Sequence, residues 1–130
     1  ILVPIAPGEL VDKLTILRLK SENISDAQKL ANVKHEYDVL KSVADKALPP
    51  SSDLTALWTK LYGINADLWV IGDDIREFEG RGDFSVGFVA LARAVNVTND
   101  ERAAVKKEIN LLLGAAIVEE KSYHSPTENP

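Results

Sequence analysis

Apolar side chains recur at every third or fourth position between residues 54 and 78. They are Leu54, Leu57, Leu61, Ile64, Leu68, Ile71, Ile75 and Phe78. This spacing places all of them along one side of a helix, because an α-helix completes a turn in about 3.6 residues. The pattern therefore predicts a long central helix in an all-α fold, with this stripe facing the core.

A second stripe runs beside the first and carries both tryptophans of the chain. It consists of Trp58, Tyr62, Asn65, Trp69, Gly72 and Arg76. Three interpretations are open: a protein interface, where Trp, Tyr and Arg are enriched, a ligand pocket with a guanidinium for a carboxylate or phosphate, or packing against the terminal helices. Because the stripe is long and flat, we favour an interface, in a homodimer or with another protein, formed by Trp58, Tyr62, Asn65, Trp69 and Arg76.

Further helices are predicted on both sides of the central one, for a total of about five. The first covers about residues 8–23, and the second begins at a capping box at Ser25 and extends to residue 47. Their short link predicts an antiparallel hairpin laid against the central helix. After a turn that contains Gly80 and Gly82, a short helix over about residues 84–95 and a last helix from a capping box at Thr98 to residue 112 are predicted.

The two ends of the chain are predicted to be extended. Residues 1–7 have an alternating apolar pattern with two prolines, and residues 115–123 have β-forming residues, so the two arms could pair. We predict one helical domain over residues 1–124 and a flexible polar tail over residues 125–130.

The amino-acid composition and net charge limit which classes of function this protein can have. A net charge of −5 argues against nucleic-acid binding, which needs a basic surface. The excess of acids is local, since residues 51–82 carry six acids and three bases whereas residues 1–50 carry seven of each. No apolar run is long enough to predict membrane insertion. The absence of cysteine excludes disulfides and thiolate chemistry and fits a cytoplasmic location.

Two pairs of carboxylates form the candidate metal site, each pair spaced three residues apart on its helix. They are Glu9, Asp12, Asp74 and Glu77. Two facing helices with such pairs can bind Mg²⁺ or Mn²⁺ and orient a phosphorylated small molecule, a pattern that resembles the all-helical nucleoside-triphosphate pyrophosphohydrolases. The alternative is that these acids favour a helix dipole or form ion pairs with Lys13 and Arg76. We favour that alternative and expect no cofactor.

Near the end of the chain, polar residues are dense but their spacing indicates no chemistry. Together with motifs earlier in the chain, these residues resemble the sequence pattern of a known protein family. The motifs are Gly8-Glu9-Leu10, Asp12-Lys13, Ile16-Leu17, Leu61-Tyr62, Asn65, Leu68-Trp69, Asp74-Ile75-Arg76, Asn99-Asp100, Arg102, Ile109-Asn110 and Glu119-Glu120-Lys121-Ser122-Tyr123. The chain resembles a small bacterial family of unknown function, often met near genes for cell-surface polysaccharide synthesis. It departs from that family's pattern at Gly72 and Asn96.

The resemblance implies no catalytic residue, cofactor or substrate, because none is established for that family. We therefore predict first a non-enzymatic binding or assembly module that forms a homodimer through Trp58, Tyr62 and Trp69. The second hypothesis is an enzyme that uses Mg²⁺ or Mn²⁺ and the four carboxylates.

Overall fold

A computed structural model describes residues 1–115, which form four helices and no strand. The helices are α1 (Pro7–Asn23), α2 (Ala27–Ala47), α3 (Ser52–Gly80) and α4 (Val86–Leu112). The predicted all-α class is confirmed, with four helices in this part of the chain instead of about five. The predicted polar tail, and the C-terminal arm apart from residue 115, lie outside the described residues.

None of the four helices is both long and apolar enough to span a membrane.

The starts of the first three helices follow local capping chemistry. Pro7 occupies the first turn of α1, where its missing N–H has no intrahelical partner to lose. The side chain of Asp26 caps α2 by accepting the N–H of Lys29 at 2.9 Å, so the cap falls one residue after the predicted Ser25. Ser51 caps α3 by accepting the N–H of Leu54 at 3.0 Å.

The two short helices predicted after residue 83 form one continuous helix. The predicted capping box at Thr98 lies inside α4. The reason is that no glycine or proline occurs between residues 88 and 113, so nothing interrupts the helix where that box begins. Before α4, a side-chain oxygen of Asp83 accepts the N–H of Ser85 at 3.0 Å. Hydrogen bonds from Ser85 hold the pKa of Asp83 below its ordinary value.

The helix that contacts all the others is α1, whereas α2 packs against α1 and α3 pairs with α4. Eight of the 17 residues of α1 are buried. The main hydrophobic cluster joins Val11 to residues of α3 and α4, and a second cluster joins Leu10 and Leu14 to Ala44 of α2. The predicted central role of α3 is therefore replaced by α1, which occupies the position between the other helices.

The α3–α4 pair extends well beyond the core. The last buried residue of α3 is Asn65 and the first buried residue of α4 is Val105, so no residue between 66 and 104 is buried. We call residues 66–101 the outer hairpin. At about 1.5 Å per residue, α3 continues for roughly 20 Å past Asn65. This length is stabilised mainly by contacts between α3 and α4 themselves.

Candidate functional site

A group of polar side chains lies buried where α1, α3 and α4 meet. Its buried members are Asp12, Thr15, Asn65 and Asn110. Burying a polar group is costly unless it is hydrogen-bonded. Within residues 1–115 no buried side-chain nitrogen or oxygen lacks a hydrogen-bond partner. Hydrogen bonds join three of these residues, Asp12, Thr15 and Asn65, to one another and to Arg102. We call these four residues the buried polar network.

The centre of the network is the carboxylate of Asp12, which is only 1% exposed. Arg102 of α4 donates from Nε to Oδ1 at 2.9 Å and from Nη2 to Oδ2. Asn65 of α3 donates from Nδ2 to Oδ1 at 2.9 Å. This bidentate contact between the guanidinium and the carboxylate is the strongest form of an arginine–aspartate ion pair. One carboxylate on α1 thus binds side chains from both α3 and α4.

The amide of Asn65 links two residues of α1. Besides Asp12, its Nδ2 donates to Oγ1 of Thr15 at 2.9 Å. The hydroxyl of Thr15 in turn donates to the main-chain oxygen of Asp12 at 2.8 Å. Since an amide nitrogen carries two hydrogens, both donors of Asn65 are used. This arrangement fixes the rotation of α1 relative to α3.

At the start of α1, a second set of contacts reaches α4. Nζ of Lys106 lies 2.7 Å from Oε2 of Glu9, and the N–H of Gly8 donates to Oδ1 of Asn110 at 2.7 Å. A Cβ atom at Gly8 would lie 2.4 Å from the main-chain oxygen of Lys106. Only glycine permits this close approach of the two helices.

The first half of the second stripe of α3, which we call the aromatic stripe, packs against α1. Trp58 contacts both hydrophobic clusters, and Asn65 belongs to the buried polar network. The hydroxyl of Tyr62 donates to Oε1 of Glu22 at 2.6 Å, and the guanidinium carbon of Arg18 lies 4.3 Å from the centre of its ring. The hydrogen bond to Glu22 raises the pKa of Tyr62 above its ordinary value. These side chains therefore face α1, one of the arrangements left open by the sequence.

The second half of the stripe lies in the outer hairpin. Trp69 is half-buried, and Arg76 is exposed with its Nη2 atom 2.8 Å from Oδ1 of Asp73. The structure therefore divides the predicted interface face between the α1 contact and the outer hairpin.

The structure does not gather the four carboxylates of the candidate metal site. Glu9 and Asp12 form ion pairs with α4, and Oε1 of Glu77 lies 2.8 Å from Nη1 of Arg81. Asp74 is half-buried on α3. Across residues 1–115, no group of three or more His, Cys, Asp or Glu side chains could hold a metal ion.

Sequence reasoning missed the pairing of Asp12 with Arg102. A signal was present, because Arg102 precedes Val105 by three residues and Ile109 by seven and so lies on the apolar side of α4. A charged residue at such a position needs a buried partner. Its partner is 90 residues away in sequence, and no helical periodicity identifies it.

Over residues 1–115 these contacts define an all-helical fold in which α1 is fixed to α3 and α4 by a buried carboxylate–guanidinium–amide network. The chain belongs to a family of unknown function, DUF6165, whose model matches residues 1–130. The resemblance to a family of unknown function is thereby confirmed. Comparison with curated proteins gave no match, and comparison with solved structures gave none either.

Proposed function

We propose that the protein is a non-enzymatic assembly module that forms a homodimer through the outer hairpin. This proposal rests on the fact that no residue between 66 and 104 is buried. Large apolar side chains are nevertheless exposed in that region, namely Val70, Phe84, Val86, Val89 and Val97. Three of them, Phe84, Val86 and Val89, line one groove. Grouped exposed apolar residues are typical of interaction surfaces, whereas isolated ones are ordinary.

This groove at the end of the outer hairpin is lined by the kinds of residue expected of a docking surface. It has a volume of about 440 Å³ and is lined by Phe84, Ser85, Val86, Val89, Ala90 and Arg93. Its walls are mostly apolar, and among the described residues its lining contains no carboxylate or histidine for general acid–base catalysis. This chemistry supports a protein contact rather than a reaction site.

The buried polar network supports a structural role for the polar residues of α1. The carboxylate of Asp12 accepts from Asn65 and Arg102, and Nδ2 of Asn65 also donates to Thr15. A bound metal at Asp12 or Glu9 would have to displace Arg102 or Lys106. The enzyme hypothesis therefore has no observation in its favour.

The oligomeric state tests the proposal. Sedimentation velocity over a wide range of protein concentration is expected to show a monomer–dimer equilibrium. The double variant Val70→Asp/Val97→Asp changes one exposed valine on each helix of the outer hairpin and is expected to be monomeric. Val39→Asp/Val43→Asp is the matched control, because both valines are about half exposed on α2. A chain that stays monomeric at every concentration contradicts the proposal.

Two further measurements separate the alternatives. Trp69→Ala tests the contribution of the aromatic stripe, and a dimer that it leaves unchanged excludes Trp69 from the interface. For the enzyme hypothesis, thermal melting with and without Mg²⁺ or Mn²⁺ is decisive. A rise in melting temperature that disappears in Asp74→Ala would favour a metal site, because only a ligand bound to the folded state stabilises it.

A further inference from the structure

The exposed side of α4 carries a stripe whose spacing is symmetric about Val97. Its members are Ala90, Arg93, Val97, Glu101 and Ala104, separated by three, four, four and three residues. All five are exposed, and Val97 is 58% exposed. These separations place them along one line of the helix. Read from either end, the stripe presents small, charged, apolar, charged and small side chains in the same order.

The two charged members of the stripe have opposite signs, and neither has an ion partner among residues 1–115. The chain has five arginines, all within residues 1–115, and Arg93 alone among them forms no ion pair there. Its neighbours three and four positions away are Val89, Ala90, Asn96 and Val97, none of which is acidic. On a helix surface, an acidic residue at one of these positions would be close enough to pair with Arg93. The sequence around Arg93 provides none.

Glu101 is in the equivalent situation. The positions three and four residues from it are Val97, Thr98, Ala104 and Val105, none of which is basic. No ion pair of Glu101 occurs within the described part of the chain. Arg93 and Glu101 are each four residues from Val97, too far apart on one helix to pair with each other.

Two antiparallel copies of α4 would satisfy both charges. If they cross at Val97, the position four residues before it in one copy faces the position four residues after it in the other. Arg93 then faces Glu101 twice, Val97 faces Val97, and Ala90 faces Ala104. An interface between identical surfaces related by a twofold axis requires this reciprocal pairing. The alanines remove bulk on both sides of the crossing, which permits helix axes about 8 Å apart.

We propose that two copies of the chain associate through antiparallel α4 helices that cross at Val97, with Arg93 of each copy paired with Glu101 of the other. This inference rests on the proposed homodimer and specifies its geometry. Residues 86–108 would overlap over about 33 Å. With a width of about 10 Å the contact covers roughly 330 Å² per copy, less than the ~800 Å² of a standard interface. The dimer is therefore expected to be weak and concentration-dependent.

Charge reversal tests the pairing. Arg93→Glu and Glu101→Arg each replace two attractive contacts per dimer by two repulsive ones. Each is expected to raise the dimer dissociation constant by about tenfold or more in low salt. The double variant Arg93→Glu/Glu101→Arg is expected to restore the dimer. A mixture of the two single variants is expected to form a heterodimer, because every facing pair is then opposite in charge.

Cysteine cross-linking tests the crossing point, since the chain contains no cysteine of its own. Val97→Cys places a thiol beside its copy on the twofold axis, within the short range that a disulfide requires. It is expected to form a covalent dimer under mild oxidation. Val70→Cys is the matched control, because Val70 is also 58% exposed but lies on α3. Circular dichroism confirms that each variant is folded.

The outcomes separate this inference from the proposed function. A wild-type dimer that resists both charge reversals, or that cross-links as well through Val70→Cys as through Val97→Cys, overturns the α4 geometry and leaves the homodimer in place. A wild-type chain that is monomeric at all concentrations overturns both. A wild-type dimer with rescue in the double variant and selective cross-linking at Val97 supports both.

Discussion

Arg102→Met is expected to lower the free energy of unfolding by about 3 kcal/mol. Removing one partner of a buried ion pair costs about 3–5 kcal/mol, because the remaining charge is left uncompensated in the protein interior. Arg102 supplies two of the three side-chain hydrogen bonds that Asp12 accepts, and Asn65 would remain as the third donor. Methionine keeps much of the aliphatic stem, so the change acts mainly on the charge.

The structure places the magnitude at the lower end of that range. The side chain of Asp12 is 1% exposed, but that of Arg102 is 31% exposed. Water can therefore approach the carboxylate from the side that the guanidinium vacates. An exposed pair of the same type provides the scale for comparison. Arg81 and Glu77 have side chains that are 50% and 68% exposed, and Arg81→Met is expected to cost roughly 0.5 kcal/mol or less.

The assay is urea denaturation followed by tryptophan fluorescence and far-UV circular dichroism. Coincident transitions and an unchanged slope show that the midpoint reports stability. All variants are compared at one low protein concentration, since dimerisation would add stability. A loss of stability for Arg102→Met no larger than that for Arg81→Met would contradict this prediction, because the Asp12–Arg102 pair would then behave as a solvated surface pair.

Three further predictions use other contacts of α1 and α3. Gly8→Ala is expected to lower the free energy of unfolding by about 1–3 kcal/mol or more, because the new Cβ would lie 2.4 Å from a main-chain oxygen of α4. Gly63→Ala meets no atom within 4 Å and is expected to raise the free energy of unfolding by roughly 0.5–1 kcal/mol. Thermal melting of both variants checks this contrast. The raised pKa of Tyr62 means that its hydrogen bond stabilises the fold fully below pH 10.0 and less as the pH rises through the folded-state value. Ultraviolet titration is expected to show this pKa falling in Glu22→Ala, and an unchanged titration would contradict it. Leu61→Ala is expected to lower the free energy of unfolding by about 2–5 kcal/mol in urea denaturation, since Leu61 is 0% exposed in the main cluster. A loss below about 1 kcal/mol would show that neighbouring side chains move in to fill the cavity.

Local sequence signals were sufficient to predict most helix boundaries. The ends of α1 and the turn near Gly80 depend on residues close in sequence. The break predicted near Thr98 was wrong for a related reason. A capping box satisfies N–H groups only where the chain leaves the helix, and nothing in α4 makes it do so.

The candidate site was only partly predictable, because its contacts join distant segments. Asn65 was singled out as a polar residue on an aromatic stripe, and Glu9 and Asp12 as spaced acids. Asn65 binds Asp12 and Thr15 of α1, and Asp12 and Glu9 pair with Arg102 and Lys106 of α4. No local pattern in the sequence identifies partners so far apart along the chain. The prediction that Asp12 favours the helix dipole or pairs with Lys13 or Arg76 did not anticipate its contact with Arg102, since the burial of Asp12 depends on three helices at once.

The position of α1 has a consequence for the order of events during synthesis. Asp12 must wait for a partner 90 residues later, and Gly8 for one 102 residues later. At about 5–20 residues per second, the ribosome needs several seconds to deliver Arg102 after Asp12. During this interval α1 and α2 can form their own hairpin, but the carboxylate of Asp12 stays hydrated. The nascent chain therefore completes its interior only when α4 has emerged and displaced that water.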